Sequence, residues 1–277
     1  MTDRYGIIGY PLGHSLSPYM HNRYAYYLGA DETYEAFETD PADMEKTLLQ
    51  MHEDHILGLN VTIPFKTSVI PLLSGIDSGI DRIGAVNTLK YTPEGYIGYN
   101  TDVRGLKYTI EKSGLSLKGK DVLILGAGGA ARAAAYVSEQ SGCSSITVLN
   151  RTYEHAESLC RDFKGKPLDY SSLNKLDKTS YMIFQTTSVG MYPYTDVMLP
   201  VPDDILSKAL SVIDVIYNPG ETALIKYVSS LGIPTVNGFD MLINQGLESR
   251  KIWKPDEKIT KEIKETVYDE CTRYSWT

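Results

Sequence analysis

A glycine-rich turn separates an aliphatic run from an alanine-rich segment near the middle of the chain. Residues 121–125 read Asp-Val-Leu-Ile-Leu and lead into Gly126, Ala127, Gly128, Gly129, Ala130 and Ala131. In this G-x-G-x-x-A spacing, the first glycine permits a tight turn and the second lets the backbone approach a pyrophosphate. The start of the following helix offers further N–H groups to an anion. The turn predicts dinucleotide binding, although a similar turn also serves close packing alone.

The end of the next predicted strand indicates which dinucleotide. NAD-binding proteins usually have an Asp or Glu there to accept the ribose hydroxyls, but this chain reads Asn150, Arg151, Thr152. A guanidinium forms bidentate, charge-assisted hydrogen bonds with a phosphate. The sequence therefore favours NADP over NAD. The alternative is that Arg151 is a surface cation neutralised by Glu154.

Polar side chains in the first hundred residues recur where predicted strands and helices end. Ser15 and Ser17 stand at the start of a helix, where two hydroxyls suit a carboxylate, although Ser17 alone would serve as an ordinary cap. Similar groups stand at predicted strand ends, namely Asn60, Thr62, Lys66, Asn87, Thr88, Asn100, Thr101 and Asp102. Ligands bind at the strand ends of open parallel sheets. We therefore expect a small-molecule site, although Lys66 and Asp102 taken alone would be read as a surface ion pair.

Short apolar runs alternate with longer helical patterns along the whole chain. Strands are predicted at residues 5–9, 33–38, 58–63, 86–91, 121–125, 145–149, 181–184, 212–216 and 234–236. Helices are predicted at residues 19–28, 41–52 and 103–113, after the glycine turn, and from residue 239 onward. This alternation predicts an α/β fold with parallel sheets. We expect one domain at residues 1–102, joined by residues 239–277, and a second at residues 103–238.

Composition excludes several classes of protein. The 277 residues are 42% hydrophobic and 22% charged, as in soluble globular proteins. The net charge of −8 disfavours nucleic acid and anionic membrane surfaces as partners. The chain starts without the pattern of a signal peptide and contains no long apolar run, so we expect a cytoplasmic protein. Three widely spaced cysteines predict neither a disulfide framework nor a metal site.

Eight sequence segments together resemble the shikimate dehydrogenase family. They are Ser15-Leu16-Ser17-Pro18 with His21-Asn22, residues 60–66 (Asn-Val-Thr-Ile-Pro-Phe-Lys), Gly84-Ala85-Val86-Asn87-Thr88, Asn100-Thr101-Asp102, the Gly126 turn, Asn150-Arg151-Thr152, Thr187-Ser188-Val189-Gly190-Met191, and Asn237-Gly238 with Gln245. They occur in the family's order from residue 5 to residue 250 or so. Their shared order makes coincidence negligible.

The resemblance implies a substrate-binding domain, a Rossmann-like domain, and C-terminal helices that return to the first. It also implies NADPH-dependent, reversible reduction of 3-dehydroshikimate to shikimate, a step in aromatic amino-acid biosynthesis. The implied substrate residues are Ser15, Ser17, Asn60, Thr62, Lys66, Asn87, Asp102, Tyr217 and Gln245, of which Lys66 and Asp102 form the catalytic pair. The implied cofactor residues are Gly126, Ala127, Gly128, Gly129, Ala130, Asn150, Arg151, Thr152, His155, Val215 and Gly238.

Three positions depart from the family's usual pattern. His155 stands where a second Arg or Lys is common, which weakens the grip on a 2′-phosphate. Gln185 replaces an Asn before the Thr187 segment, and at the third place the pair Phe239-Asp240 replaces a more usual small or aliphatic pair. Two alternatives stay open: a quinate/shikimate dehydrogenase that uses NAD, and a non-catalytic NADP-binding regulator of the same fold. Either a monomer or a homodimer fits the sequence.

The implied chemistry makes Lys66 an acid in the reductive direction. A lysine ammonium beside a carboxylate is protonated at neutral pH and can donate a proton to a developing alkoxide. The oxidative reaction requires the same amine as a base, so shikimate oxidation should improve as the pH rises. The residues do not separate this role from one in which Lys66 only positions substrate.

Overall fold

The chain divides into two compact units. The computed structural model describes residues 2–13, 15–176 and 180–274. Unit 1 comprises Met1–Thr101 and Ile243–Thr277, and unit 2 comprises Asp102–Leu242. Within the described residues, no helix is both long and apolar enough to cross a lipid bilayer.

Unit 1 is built on a six-stranded sheet. Its strands are β1 (Asp3–Gly9), β2 (Glu32–Glu38), β3 (Gly58–Val61), β4 (Gly75–Ile76), β5 (Thr88–Thr92) and β6 (Gly95–Tyr99), in the spatial order β2-β1-β3-β5-β6-β4. The first helices are α1 (Ser17–Leu28), α2 (Met44–Glu53) and α3 (Ile80–Ile83), with short 3₁₀ helices at Pro41–Asp43 and Ile70–Leu72. The stripe of Met44, Leu48 and Met51 on α2 is buried, as the spacing predicts for a core-facing helix.

The unit 1 sheet is mixed, so the expectation of parallel sheets is wrong for this half of the chain. Strand β5 runs antiparallel to both β3 and β6. The reason is local: only Pro93 and Glu94 connect β5 to β6, and a connection of that length forms a hairpin. The apolar runs did mark where strands lie, but not the direction of the strand at residues 88–92.

Unit 2 has an entirely parallel six-stranded sheet. Its strands are β7 (Asp121–Leu125), β8 (Ser145–Leu149), β9 (Lys166–Leu168), β10 (Tyr181–Gln185), β11 (Ser211–Asp214) and β12 (Thr235–Val236), in the order β12-β11-β10-β7-β8-β9. Its helices are α4 (Asp102–Lys112), α5 (Gly129–Gln140), α6 (Tyr153–Phe163), α7 (Asp203–Leu206) and α8 (Ala223–Ser230), with a 3₁₀ helix at Tyr170–Lys175. This order is doubly wound, because the chain moves outward from β7 in one direction and then outward from β10 in the other.

Both faces of the unit 2 sheet are covered. Val122 and Ile124 of β7 belong to an apolar cluster with α4, α5 and α6, whereas Leu123 and Leu125 belong to a cluster with α7 and α8. Alternate residues of a strand point to opposite faces. A continuous aliphatic strand is therefore the pattern that a parallel sheet buried on both sides requires.

Two helices complete the chain, α9 (Phe239–Trp253) and α10 (Lys261–Tyr274). Within unit 1, α10 lies against α1. The guanidinium of Arg23 donates to Glu270 at 2.6 Å, and the rings of Tyr19 and Tyr274 stack at 4.0 Å. The C-terminal helices thus pack with the first hundred residues, as the family resemblance implies.

Candidate active site

One edge of the unit 1 sheet gathers the polar segments of the first hundred residues. Asn60 of β3 pairs with Thr88 of β5, and Thr88 pairs with Tyr99 of β6. Because β5 is antiparallel, its amino end lies beside the carboxyl ends of β3 and β6. Asn87 therefore precedes a strand instead of ending one, which corrects our expectation, yet the reversed direction is what brings it to this edge.

Ser15 and Ser17 lie at the start of α1, but neither is its N-cap residue. The helix begins at Ser17, and its N-cap residue is Leu16, which makes no side-chain hydrogen bond. Our interpretation of Ser17 as the N-cap is therefore wrong by one position. Ser15 is half-buried and Ser17 buried. Pro18 lies in the first turn of the helix, and Gly29 is its C-cap residue. Ser15 Oγ accepts the backbone N–H of Ser17 at 3.4 Å, and both hydroxyls remain candidates for binding a carboxylate.

Asn60 is 4% exposed and fully engaged in hydrogen bonds. Its Oδ1 accepts from the hydroxyl of Tyr34 at 2.7 Å. Its Nδ2 donates to Ser249 Oγ at 2.9 Å and, at 3.2 Å each, to the Asn87 carbonyl and Thr88 Oγ1. The carboxamide is therefore held in one orientation.

Asn87 and Gln245 are joined directly, although they are far apart in sequence. Asn87 Nδ2 donates to Gln245 Oε1 at 3.2 Å and to Thr101 Oγ1 at 2.9 Å. Asn87 Oδ1 accepts the backbone N–H of Thr101 at 2.7 Å. One helical turn beyond Gln245, the hydroxyl of Ser249 donates to the Gln245 carbonyl at 3.0 Å. These side chains are all buried, so the network is preorganised before any ligand arrives.

Lys66 lies on the loop that follows β3. Backbone hydrogen bonds hold the loop on both sides: Phe65 N–H donates to the Thr62 carbonyl at 2.9 Å, and Val86 N–H donates to the Lys66 carbonyl at 2.7 Å. Thr62 and Lys66 are half-buried. These bonds place the backbone of Lys66 beside Val86, the residue that precedes Asn87.

Asp102 is the first residue of α4 and directly follows Thr101. Its side chain is 3% exposed, and an acidic residue in the first turn of a helix is favoured by the helix dipole. Lys66 belongs to unit 1 and Asp102 to unit 2. Their action as a catalytic pair stays a prediction.

The glycine turn of unit 2 lies where the doubly wound sheet changes direction. Gly126 has a φ of +110°, and a Cβ there would lie 2.7 Å from Thr186 Oγ1, so both conformation and space require glycine. A Cβ at Gly128 would meet no described atom within 4 Å. Ala131 is fully buried at the helix-to-sheet contact. Ala127, Gly129 and Ala130 complete the strand–turn–helix segment, which leaves open space in front of the start of α5.

The segment after β8 is exposed in the way that an adenosine phosphate site would need. Arg151 and His155 are exposed, and Thr152 is half-buried. The side chain of Asn150 donates to the Thr152 carbonyl at 2.9 Å, which fixes the turn. Among the described residues, no ion pair joins Arg151 to Glu154, so the structure gives no support to the neutralised-cation alternative.

Val215 and Gly238 meet at the far side of the same sheet. A Cβ at Gly238 would lie 2.0 Å from the Val215 carbonyl oxygen, and Gly238 N–H donates to the Ile216 carbonyl at 2.9 Å. Tyr217 is half-buried on the loop that follows. Glycine at 238 is required here by a close backbone approach.

Two of the departures from the family pattern have structural explanations. Gln185 is buried, and its side chain donates to the Val189 carbonyl at 2.9 Å and accepts from Thr187 N–H at 2.9 Å, so it braces the loop after β10. Asp240 accepts from Lys112 Nζ at 2.8 Å. That ion pair joins α4 to the start of α9.

Sequence reasoning missed Tyr34, Ser249 and Asp214. Ser249 stands four residues after Gln245, and this helical spacing could have placed both on one face. Asp214 interrupts the aliphatic run at residues 212–216, where a buried carboxylate needs partners. Tyr34 carried no signal beyond its place in an alternating strand.

Two family models match the chain. Residues 7–89 match the model described as shikimate dehydrogenase substrate binding domain, and residues 109–192 match the model described as shikimate / quinate 5-dehydrogenase. The matched ranges contain the polar edge of unit 1 and the glycine turn of unit 2.

Whole-chain similarities agree with the family models. A shikimate dehydrogenase (NADP(+)) of Methanococcus maripaludis is 38% identical over 268 residues, which cover 94% of this chain and 95% of the relative. The crystal structure of shikimate dehydrogenase 1 from Peptoclostridium difficile has a TM-score of 0.88 and 34% identity and covers 100% of both chains. Shikimate 5-dehydrogenase from Thermus thermophilus, solved with NADP(H) and shikimate, has a TM-score of 0.83 and 28% identity and covers 99% of this chain and 100% of that one.

Proposed function

Because the chain belongs to the shikimate dehydrogenase family, we propose that it catalyses the reversible, NADPH-dependent reduction of 3-dehydroshikimate to shikimate. The observation that carries this proposal is the buried amide and hydroxyl network at one edge of unit 1, which joins Asn60, Asn87 and Gln245. Oriented amides of this kind match a ring bearing several hydroxyls, since a buried site built to hydrogen-bond hydroxyls rejects analogues that lack them.

Most of the residues proposed to bind the substrate belong to unit 1, whereas Asp102 and Tyr217 belong to unit 2. Ser15 and Ser17 would donate to the substrate carboxylate from the start of α1. Asn60, Thr62, Asn87, Asp102 and Gln245 would hold the ring hydroxyls and the reacting oxygen, with Tyr217 supplying a further contact. A small polyhydroxy acid is the expected partner, nucleic acid is not, and the working form would be a monomer or a homodimer.

Unit 2 would bind the cofactor, and its residues fit that group. Gly126, Ala127, Gly128, Gly129 and Ala130 form a turn with open space above Gly128, where pyrophosphate oxygens can approach backbone N–H groups. The 2′-phosphate side would be formed by Asn150, Arg151, Thr152 and His155. Val215 and Gly238 would offer backbone contacts at the nicotinamide end.

Lys66 would supply the proton in the reductive direction. When bound, NADPH supplies a hydride from C4 of its nicotinamide ring. The Lys66 ammonium would donate its proton to the alkoxide oxygen that develops at C3 of the substrate, and Asp102 would favour the charged amine and hold the reacting hydroxyl. In the oxidative direction the neutral amine would accept the hydroxyl proton.

A matrix of two substrates and two cofactors tests the proposal. We expect the highest kcat/KM for shikimate with NADP⁺, and a value about tenfold or more lower with NAD⁺, because a charge-assisted contact to phosphate is worth about 1.5–3 kcal/mol. Initial rates for shikimate and quinate with each cofactor measure this. Absence of turnover with shikimate and either cofactor would overturn the proposal. Faster turnover of quinate with NAD⁺ would support the alternative of a quinate/shikimate dehydrogenase that uses NAD. NADPH binding without turnover would support the alternative of a non-catalytic regulator.

Two exposed arginines provide a matched test of cofactor choice. Arg151→Ala should remove most of the preference for NADP⁺ while leaving kcat/KM with NAD⁺ unchanged. Arg161→Ala is the control, since Arg161 is exposed on α6 and pairs with Glu157. An unchanged preference in Arg151→Ala would show that another group reads the phosphate.

A further inference from the structure

Tyr34 on β2 connects two features of unit 1 that the proposed function leaves unexplained. It is 4% exposed, and its hydroxyl donates to Asn60 Oδ1 at 2.7 Å. Strand β1 lies between β2 and β3 in the sheet, so this side chain reaches over an intervening strand. A buried tyrosine hydroxyl that spans such a distance to one specific amide oxygen is a defined polar contact, in addition to core packing.

The His21-Asn22 segment holds Tyr34 in place. Asn22 donates to the Tyr34 carbonyl and accepts from the Tyr34 N–H, both at 2.9 Å. The His21 ring stacks on the Tyr34 ring, with centroids 4.3 Å apart and planes 9° apart. Burial, followed by the positive charge of Arg250, lowers the pKa of His21 well below its ordinary value. The imidazole is therefore neutral and packs as an apolar ring on the tyrosine.

The Tyr34 hydroxyl determines which way the Asn60 carboxamide faces. A carboxamide has one accepting end and one donating end. With Oδ1 held by Tyr34, Nδ2 is directed to the Asn87 carbonyl and to Ser249 Oγ. Nδ2 also donates to Thr88 Oγ1 at 3.2 Å. Thr88 Oγ1 donates to Asn87 Oδ1 at 3.3 Å, and Asn87 Nδ2 donates to Gln245 Oε1 at 3.2 Å. The chain of hydrogen bonds thus runs from Tyr34 to the two amides proposed to bind the ring hydroxyls.

We propose that Tyr34 is a positioning residue for substrate binding: held by His21 and Asn22, its hydroxyl orients Asn60 and, through Asn60 and Thr88, the carboxamides of Asn87 and Gln245. This inference rests on the proposed function. Tyr34 acts on shikimate affinity and not on the chemical step, because every link in the chain leads to groups that hold the ring.

The test compares two buried tyrosines in unit 1. Tyr34→Phe removes only the hydroxyl and keeps the ring that stacks on His21. Tyr96→Phe is the matched control, since the Tyr96 hydroxyl is also buried and donates to the Ile56 carbonyl at 2.8 Å, outside the network. Each variant loses one buried hydrogen bond of similar length. Steady-state kinetics of shikimate oxidation and thermal unfolding are measured for both and for the wild type.

In Tyr34→Phe we expect the KM for shikimate to rise about tenfold, which corresponds to about 1.4 kcal/mol, because the Asn60 carboxamide loses the donor that fixes its orientation. The kcat and the KM for NADP⁺ should stay within a factor of about two. Tyr96→Phe should lose similar thermal stability and keep the wild-type KM. Ser249→Ala, which removes the hydroxyl at the other end of Asn60, serves as the second variant if Tyr34→Phe does not fold, and it should raise the same KM. In the double variant Tyr34→Phe/Ser249→Ala, the KM for shikimate should rise by less than the product of the two single-variant increases.

Three results would overturn the inference while the wild type oxidises shikimate. The first is a wild-type KM for shikimate in both Tyr34→Phe and Ser249→Ala. The second is an equal rise in this KM in Tyr34→Phe and Tyr96→Phe. The third is a loss in Tyr34→Phe that is confined to kcat. If the wild type itself fails to bind and oxidise shikimate, the proposed function fails, and the inference fails with it.

Discussion

The fold changes the ionisation of the Asp214 carboxyl. It is fully buried at the end of β11. Its oxygens accept from Ile216 N–H at 3.0 Å and from the Thr222 hydroxyl at 2.7 Å. Burial raises the pKa of this carboxyl to about 7, against the lowering effect of those two donors. Thr222 also caps α8, so Asp214 fixes the loop that carries Tyr217.

This raised pKa predicts a pH dependence of stability. In the unfolded chain the carboxyl has a pKa of about 3.9, so between that value and about 7 the folded chain holds a proton that the unfolded chain has lost. The contribution of Asp214 to the free energy of unfolding is fully present below the unfolded pKa. It falls as the pH rises towards the folded pKa, by at most about 1.4 kcal/mol per pH unit. Asp214→Asn should flatten that fall. Urea unfolding at a series of pH values measures it.

The control for this measurement is Asp196→Asn, because Asp196 is exposed in the same unit. It should leave the slope of stability against pH unchanged. Equal slopes in the wild type and Asp214→Asn would show that Asp214 is already ionised in the folded protein at low pH.

At the residue scale, sequence analysis located individual polar groups better than the contacts between them. Asn60, Asn87 and Gln245 were singled out from their motifs, and the structure joins them in one network. The contact of Tyr34 with Asn60 depends on side chains that meet over an intervening strand. No spacing within one strand encodes such a contact. The roles of Asn60, Asn87 and Gln245 in binding substrate stay predictions.

At the element scale, the strand–turn–helix segment at residues 121–140 allows packing and binding to be tested separately. Gly126→Ala should lower both stability and NADP⁺ affinity, because it forces a positive φ on alanine and a contact with Thr186. Gly128→Ala should leave stability near wild type, since its Cβ would lie in open space, yet raise the Kd for NADP⁺. Thermal unfolding without ligand and isothermal titration with NADP⁺ measure both effects.

The two glycine variants are controls for one another. Unchanged NADP⁺ affinity in Gly128→Ala would indicate that the turn serves packing only. A large loss of stability in the same variant would mean that the space above the turn is not open.

Strands in unit 2 were predicted more accurately than those in unit 1. Strands β7 and β8 lie at residues 121–125 and 145–149, as their aliphatic runs predict, because a strand buried on both faces is apolar throughout. Strands β4 and β9 are only two and three residues long, too short for a pattern. The direction of β5 was missed because periodicity marks the faces of a strand and not its partner.

At the scale of the whole molecule, long-range charge pairs hold the C-terminal helices on unit 1. Arg250 of α9 is 4% exposed and forms ion pairs with Glu32 at 2.6 Å and Glu257 at 2.7 Å. Periodicity predicted helices after residue 239 but not where they pack, because an apolar stripe identifies a buried face without identifying its partner. The family resemblance supplied that placement.

In the proposed function, Lys66 transfers the proton and Ser15 binds the substrate. Steady-state oxidation of shikimate with NADP⁺ in Lys66→Ala and Ser15→Ala separates these two roles. Lys66→Ala should lower kcat by about 10²–10⁴-fold, as expected for a lost general acid–base, and change KM far less. Ser15→Ala should chiefly raise the KM for shikimate, with kcat near wild type. Near wild-type turnover in Lys66→Ala would show that Lys66 does not transfer the proton.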